Sequence, residues 1–134
     1  MIKGIDHIGI AVSDHEKSTL KWEKLTGEKA GMSEKVEEQG VLLSKIKLKE
    51  GPVIELLTPA GEETPVGKFL KKKGEGIHHI CFNVENLDLM VEDLKKKGVK
   101  CVQDVPGRGS EGSRIVFIHP NDFNGVLIEL KESG

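Results

Sequence analysis

The sequence is poor in cysteine, in aromatic residues and in long apolar runs. Two cysteines and no tyrosine occur among its 134 residues, and aromatic residues make up 4%. Cys81 and Cys101 are not arranged as a CxxC pair. One disulfide between them is possible, but we interpret them as reduced thiols of a cytoplasmic protein. No apolar run approaches the roughly 20 residues that would span a bilayer, so we expect no membrane segment.

The sequence also lacks an excess of charge of either sign. Its 20 basic and 22 acidic residues give a formal net charge of −2. A surface that binds nucleic acid needs a strongly basic field, and this balance does not provide one. A few local lysines or arginines could still bind an anionic small molecule. The length suits one compact domain, so residues 1–134 are expected to form a single domain.

An internal repeat is the main positive feature of the sequence. GIDHIGIAV at residues 4–12 resembles GIHHICFNV at residues 76–84, which places His79 72 residues after His7. VIEL at residues 53–56 resembles LIEL at residues 127–130, with an offset of 74. Two units could share apolar positions by chance, but the shared His and Glu indicate a repeated fold unit.

Each copy is predicted to contain one helix after its first strand. The first helix is expected at about Asp14–Leu25 and the second at about Leu87–Lys97. Gly27 and Gly98 follow these segments and suit the left-handed conformation of a helix C-terminus. The N-terminal caps are expected to be Ser13 or Asp14 in the first helix and Asn86 in the second.

The remaining segments complete a strand–helix–strand–strand–strand order in each copy. Further strands are predicted around 41–48, 53–56, 114–118 and 127–130. The chain then divides into module one (about 1–58), a connector (about 59–74) with a short helix at 65–73, and module two (about 75–134). The Gly/Pro-rich segment 105–112 is predicted to be a mobile loop.

Alternation along the first strand of each module places a histidine on the face away from the helix. Ile8, Ile10 and Val12 point to one side, whereas His7 points to the other, with Gly9 and Ala11. In module two, His79 shares its side with Cys81 and Asn83. The small residues beyond each histidine leave room for a ligand.

Glu55 and Glu129 each lie between branched aliphatic residues in the late strands. Burying an unpaired carboxylate costs on the order of several kcal/mol, so each needs a partner. One divalent cation would satisfy both, and we predict a metal site formed by His7, Glu55, His79 and Glu129. Cobalt is the expected ion, with nickel, manganese, zinc or iron as alternatives. The simpler alternative is that the histidines are structural and that Glu129 is the exposed side of an edge strand.

Other candidate ligands are assigned to other roles. The register with His7 selects His79 over its neighbour His78. His15 is expected at the surface near a helix start, and His119, before Pro120, is expected in a turn or against a ligand. Cys81 is expected to line the pocket rather than to bind the metal.

Taken together, HIGIAV, GIHHICFNV and HPNDFNGVLIEL resemble the vicinal oxygen chelate superfamily and, within it, the methylmalonyl-CoA epimerase family. The resemblance extends over the chain through EEQGV at 37–41, IELLTP at 54–59 and SRIVFIHP at 113–120. It implies an α+β fold in which two paired βαβββ modules form an open, cup-shaped mixed sheet around a metal. It also places His7, Glu55, His79 and Glu129 at the family's ligand positions and implies a homodimer.

The resemblance implies interconversion of (2R)- and (2S)-methylmalonyl-CoA through a metal-stabilised enolate. Such a reaction needs an acid or base on each face of C2, and Glu129 is the candidate for one face. Some epimerases have a glutamate where this chain has Leu43, so the second group is left unassigned; a metal-bound water, Glu55 or a loop residue could serve. Arg114 is a candidate for contacts with CoA phosphates.

Three other functions remain open. Glyoxalase I would use the same four ligands. An extradiol dioxygenase would hold iron with two histidines and one glutamate, and the fourth ligand, Glu55, argues against it. A binding module of the same fold, without a metal, is the alternative that is not an enzyme.

Overall fold

The computed structural model describes residues 1–103 and 106–133. These residues form three α-helices and eight strands, together with 3-10 turns at Glu37–Gln39, Ser110–Gly112 and Pro120–Asp122. The strands and helices follow one another in the order Ile2–Ala11 (β1), His15–Thr26 (α1), Glu34–Val36 (β2), Val41–Ile46 (β3), Val53–Pro59 (β4), Pro65–Lys73 (α2), Gly76–Val84 (β5), Leu87–Lys96 (α3), Gly107–Arg108 (β6), Arg114–Ile118 (β7) and Ile128–Glu132 (β8).

This order confirms the βαβββ pattern predicted for each half of the chain, with α2 as the predicted helix of the connector. The short strands β2 and β6 had no bounds in the prediction. The segment predicted as a loop contains β6 and one 3-10 turn among its described residues, and Val105 lies outside the described residues.

The described chain divides into two compact units, His7–His78 and Met1–Asp6 with His79–Gly134. In the His7–His78 unit the strand order is β2-β3-β4-β1. Strand β1 pairs with β4 in parallel, whereas β2–β3 and β3–β4 are antiparallel. One face of these strands packs Ile10, Ile46 and Leu56 with Trp22 of α1. The opposite face packs Ala11, Leu43 and Leu57 with residues of α2.

The other unit repeats this construction. Its strand order is β5-β8-β7-β6; β5 and β8 are parallel, and β7 is antiparallel to β8 and to β6. Its core packs α3 against the strands through Leu87, Met90, Val116 and Leu130. Because apolar residues alternate along each strand, the face away from α3 is left for other side chains.

The helix boundaries follow the predicted capping residues. The Asp14 carboxylate accepts a hydrogen bond from the backbone N–H of Lys17 (3.0 Å), and the Asn86 amide oxygen accepts one from Leu89 (3.1 Å). Gly27 ends α1 with φ of 76°. Gly98 follows α3 with φ of 84°, and the crossed hydrogen bonds beside it run from Val99 to Leu94 and from Gly98 to Lys95. This pairing satisfies carbonyls that the helix leaves open.

The prediction for His15 was wrong. Its ring is half-buried, with Nδ1 2.7 Å from Thr58 Oγ1 and Nε2 2.7 Å from Ser44 Oγ. As the first residue of α1 it faces the strands β3 and β4 rather than solvent. Burial lowers the pKa of His15 from its usual 6.5, because desolvation disfavours the imidazolium.

His119 has the predicted turn role. Its Nδ1 accepts a hydrogen bond from the backbone N–H of Asn121 (3.1 Å) at the start of the turn Pro120–Asp122. Among the described residues, no helix combines the length and the apolar character that crossing a membrane requires.

Candidate functional site

In the unit His7–His78, a buried histidine and a buried glutamate lie side by side on the face away from α1. Strand β1 presents His7, and the parallel strand β4 places Glu55 opposite Gly9, two residues further along β1. His7 Nε2 is 3.3 Å from Glu55 Oε1. Each residue is 3% exposed, so this pair is held out of water.

In the other unit, His79 and Glu129 form the equivalent pair. Strand β5 presents His79, and the parallel strand β8 places Glu129 opposite Cys81, again two residues beyond the histidine. His79 Nε2 is 3.0 Å from Glu129 Oε1. Exposure is 3% for the histidine and 4% for the glutamate.

The predicted repeat therefore extends to the strand register and to the side chains. In both units a parallel strand pair brings one imidazole nitrogen and one carboxylate oxygen together in a buried place. These are the donor types that bind borderline divalent metals, and a buried carboxylate needs a hydrogen-bonding or ionic partner. The chemistry of the donors thus fits a divalent ion.

The two units differ in the side chain that faces the glutamate from the adjoining antiparallel strand. Lys45 of β3 lies directly opposite Glu55. At the equivalent place, Phe117 of β7 lies opposite Glu129, and its ring meets the His79 ring edge-on at 6.1 Å. The sequence patterns did not single out either residue. The sequence did contain one signal: Lys45 is the next alternate residue after Val41 and Leu43 and is charged, whereas those two are apolar.

Two neighbours of His79 on β5, Cys81 and His78, were considered as ligands from the sequence, and both have contacts of their own. Cys81 is fully buried, and its thiol donates to the Phe82 carbonyl oxygen at 3.8 Å. His78 packs edge-on against Phe69 of α2, with ring centroids 5.0 Å apart. Cys81 and Cys101 are both free thiols.

The segment around Leu43 offers no acid or base at that position. Leu43 is 3% exposed and packs in the core of its unit. Glu37 and Glu38 are exposed in a 3-10 turn before β3. Glu34 of β2 lies opposite Leu43 and therefore shares its face.

Arg114, predicted to contact phosphates, is held by two carboxylates of its own unit. Its guanidinium is 2.8 Å from Asp88 Oδ1 and 2.9 Å from Glu132 Oε2. The hydrogen bond to Asp88, followed by the one to Glu132, raises the pKa of Arg114. Arg114 also lines a cavity of about 540 Å³ together with Arg108 and Lys131.

Known proteins share this construction over nearly the whole chain. The family model of the Glyoxalase/Bleomycin resistance protein/Dioxygenase superfamily matches residues 6–117. The ethylmalonyl-CoA/methylmalonyl-CoA epimerase of Cereibacter sphaeroides is 37% identical over 134 residues, which cover 98% of this chain and 99% of that protein. The mitochondrial methylmalonyl-CoA epimerase of Bos taurus is 35% identical over 130 residues, covering 96% of this chain and 74% of that protein.

A solved structure agrees with the fold. A variant of the Streptomyces coelicolor methylmalonyl-CoA epimerase, in complex with 2-nitronate-propionyl-CoA, superposes with a TM-score of 0.95 at 40% identity. The match covers 100% of this chain and 99% of that chain. The predicted α+β fold of this superfamily is confirmed, and the chain belongs to the methylmalonyl-CoA epimerase family.

Proposed function

We propose that this protein interconverts the (2R) and (2S) forms of methylmalonyl-CoA by moving the proton at C2. The observation that carries the proposal is the buried His–Glu pair found at the same register in both units. Relatives of 35% and 37% identity over nearly the whole chain are named as epimerases of this substrate. A structural relative of 40% identity binds a CoA thioester analogue.

We further propose that His7, Glu55, His79 and Glu129 hold one divalent ion. Two ligands at about 2.1 Å from an ion, at a right angle, lie about 3.0 Å apart. The N–O separations of 3.3 Å and 3.0 Å within the two pairs suit neighbouring ligands of this kind. When bound, such an ion supplies positive charge that stabilises a negatively charged carbonyl oxygen of the substrate. Cobalt stays the predicted ion.

Glu129 is the side chain that we assign to proton transfer. Its carboxylate is buried beside His79 and faces the ring of Phe117, which offers no charge or strong hydrogen bond to it. A carboxylate in such surroundings can accept the C2 proton of a substrate and return it. Leu43 cannot supply the group for the opposite face, and that group remains unassigned.

The expectations about domain organisation, oligomeric state, cellular location and contacts with CoA stay predictions. These are one domain over residues 1–134, a homodimer, a cytoplasmic location, and contacts between Arg114 and CoA phosphates. Two free thiols are consistent with a reducing compartment.

Exchange of the C2 hydrogen tests the proposal. In D₂O, the metal-loaded protein is expected to incorporate deuterium at C2 of methylmalonyl-CoA, as measured by mass spectrometry. Activity should disappear after chelation and return when cobalt is added. Methylglyoxal with glutathione is the control substrate for glyoxalase I. Activity on that mixture, with no exchange into methylmalonyl-CoA, would replace the proposal with the glyoxalase alternative.

A further inference from the structure

Four polar side chains form a row across the strands of the unit His7–His78. Glu34 lies on β2, Lys45 on β3, Glu55 on β4 and His7 on β1. Glu34 and Lys45 are diagonal neighbours across β2–β3, because Glu34 is opposite Leu43, two residues before Lys45. Lys45 is directly opposite Glu55, and Glu55 is 3.3 Å from His7. None of the four is without a partner.

The register brings the lysine close to the buried carboxylate. Residues directly opposite in an antiparallel pair have Cβ atoms about 4.5–5.5 Å apart and project to the same face. Glu55 is 3% exposed, whereas Lys45 is only partly buried. A partly buried lysine can lay its apolar stem along neighbours such as Leu43 while its ammonium meets a carboxylate.

The second unit shows that this lysine is not a requirement of the fold. There the residue opposite the glutamate is Phe117, although the strand pairing and the His–Glu pair are the same. The two carboxylates are therefore in different electrostatic surroundings. Glu55 lies opposite Lys45 and beside an imidazole, whereas Glu129 lies opposite Phe117 and beside an imidazole.

We infer that Lys45 is a positioning residue that holds the Glu55 carboxylate in the orientation required for binding a divalent ion. This inference rests on the proposed metal site. Groups that orient the ligands of a metal contribute strongly to its affinity, and their loss typically weakens binding about 10- to 100-fold.

The experiment measures cobalt affinity of the metal-free protein by calorimetry, with methylmalonyl-CoA turnover followed separately. Lys45→Met keeps the unbranched apolar stem of the side chain and removes the charged end. It is expected to raise the cobalt dissociation constant about 10-fold or more. The cobalt dissociation constant of Lys45→Arg is expected to stay within about 3-fold of that of the original protein, since arginine keeps the positive charge. At saturating cobalt, kcat of Lys45→Met should recover to within about 3-fold, as a positioning role requires.

Lys35→Met is the matched control, because Lys35 is exposed on β2 and faces the other side of the sheet. Circular dichroism and thermal melting establish that each variant is folded. Equal cobalt affinity of Lys45→Met and the original protein would overturn the role of Lys45 alone. If the original protein binds no divalent ion, the metal site and the inference both fail. If it binds cobalt but does not exchange the C2 hydrogen, only the proposed reaction fails.

Discussion

Replacing Glu129 with glutamine tests the assignment of proton transfer most directly. Glutamine has the same shape and keeps one carbonyl oxygen, which can still contact His79 or a metal. It cannot accept a proton at neutral pH. Because Glu129 is 4% exposed and lies 3.0 Å from His79 Nε2, little rearrangement or water entry is expected to compensate.

The expected loss follows from the role of the group. A positioned acid or base contributes about 10²- to 10⁴-fold to a rate. Glu129→Gln should therefore lower kcat by about 10²- to 10⁴-fold, which corresponds to about 3–5 kcal/mol in the activation barrier. Glu55→Gln is the matched variant, because Glu55 has the same place in the repeat but is assigned only to metal binding. At saturating cobalt it should keep kcat within about 10-fold, with weaker cobalt binding.

The assay is deuterium incorporation at C2 of (2S)-methylmalonyl-CoA, with conversion to the (2R) form measured in parallel. Both variants are compared at cobalt concentrations well above their dissociation constants, so that metal loss does not imitate a catalytic defect. If Glu129→Gln exchanges the C2 hydrogen within 10-fold of the original rate, Glu129 is not the acid or base. An equal loss of kcat in both variants would contradict the division of roles in which Glu129 transfers the proton and Glu55 only binds the metal.

Two further predictions concern stability. Leu56→Ala should lower the free energy of unfolding by about 3–5 kcal/mol in urea titrations, because Leu56 is fully buried against α1. The control is Leu20→Ala, at a 60% exposed position, which should change the free energy of unfolding by less than about 0.5 kcal/mol. Similar losses in the two variants would contradict the packing of Leu56 against α1. The second concerns His15, whose pKa is lowered by burial, so the contribution of its neutral ring is complete above about pH 6.5 and is lost as the pH falls through the lowered pKa. The difference in urea midpoint between the original protein and His15→Gln should therefore be larger at pH 8 than at pH 5, and a difference that is independent of pH would show that burial of the ring has no such effect.

The periodicity of the chain was sufficient to predict the main elements. Each helix is delimited by residues with a local role, such as Asp14 and Gly27 in α1, and local roles can be read from sequence. The strands β2 and β6 have three and two residues, too few to show alternation. They form only because a neighbouring strand offers a hydrogen-bonding edge, which is a property of the folded chain.

Residues of the candidate site could be predicted only where the internal repeat places them in two matching segments of the sequence. His7 and His79 could be paired because each occurs within a matching apolar segment. The residues opposite the glutamates depend on the register of an antiparallel pair, so Lys45 and Phe117 were not identified from the sequence. The direction of the His15 ring was likewise not readable, because a residue at a helix start can face either the sheet or solvent.

Because successive residues of a strand face opposite sides of the sheet, the position of Glu55 within β4 decides whether its carboxylate faces His7 on the parallel strand β1. The loop of residues 47–52, between β3 and β4, could gain or lose a residue without changing which side chains face each side of the sheet. The condition is that Ile46 and Leu56 keep their contacts on the α1 side. A single residue inserted inside β4 before Glu55 would instead exchange the two faces, sending the carboxylate into the apolar layer under α1 and an aliphatic side chain towards His7. Natural length variation in this family is therefore expected to concentrate in that hairpin, and engineered insertions should be placed there.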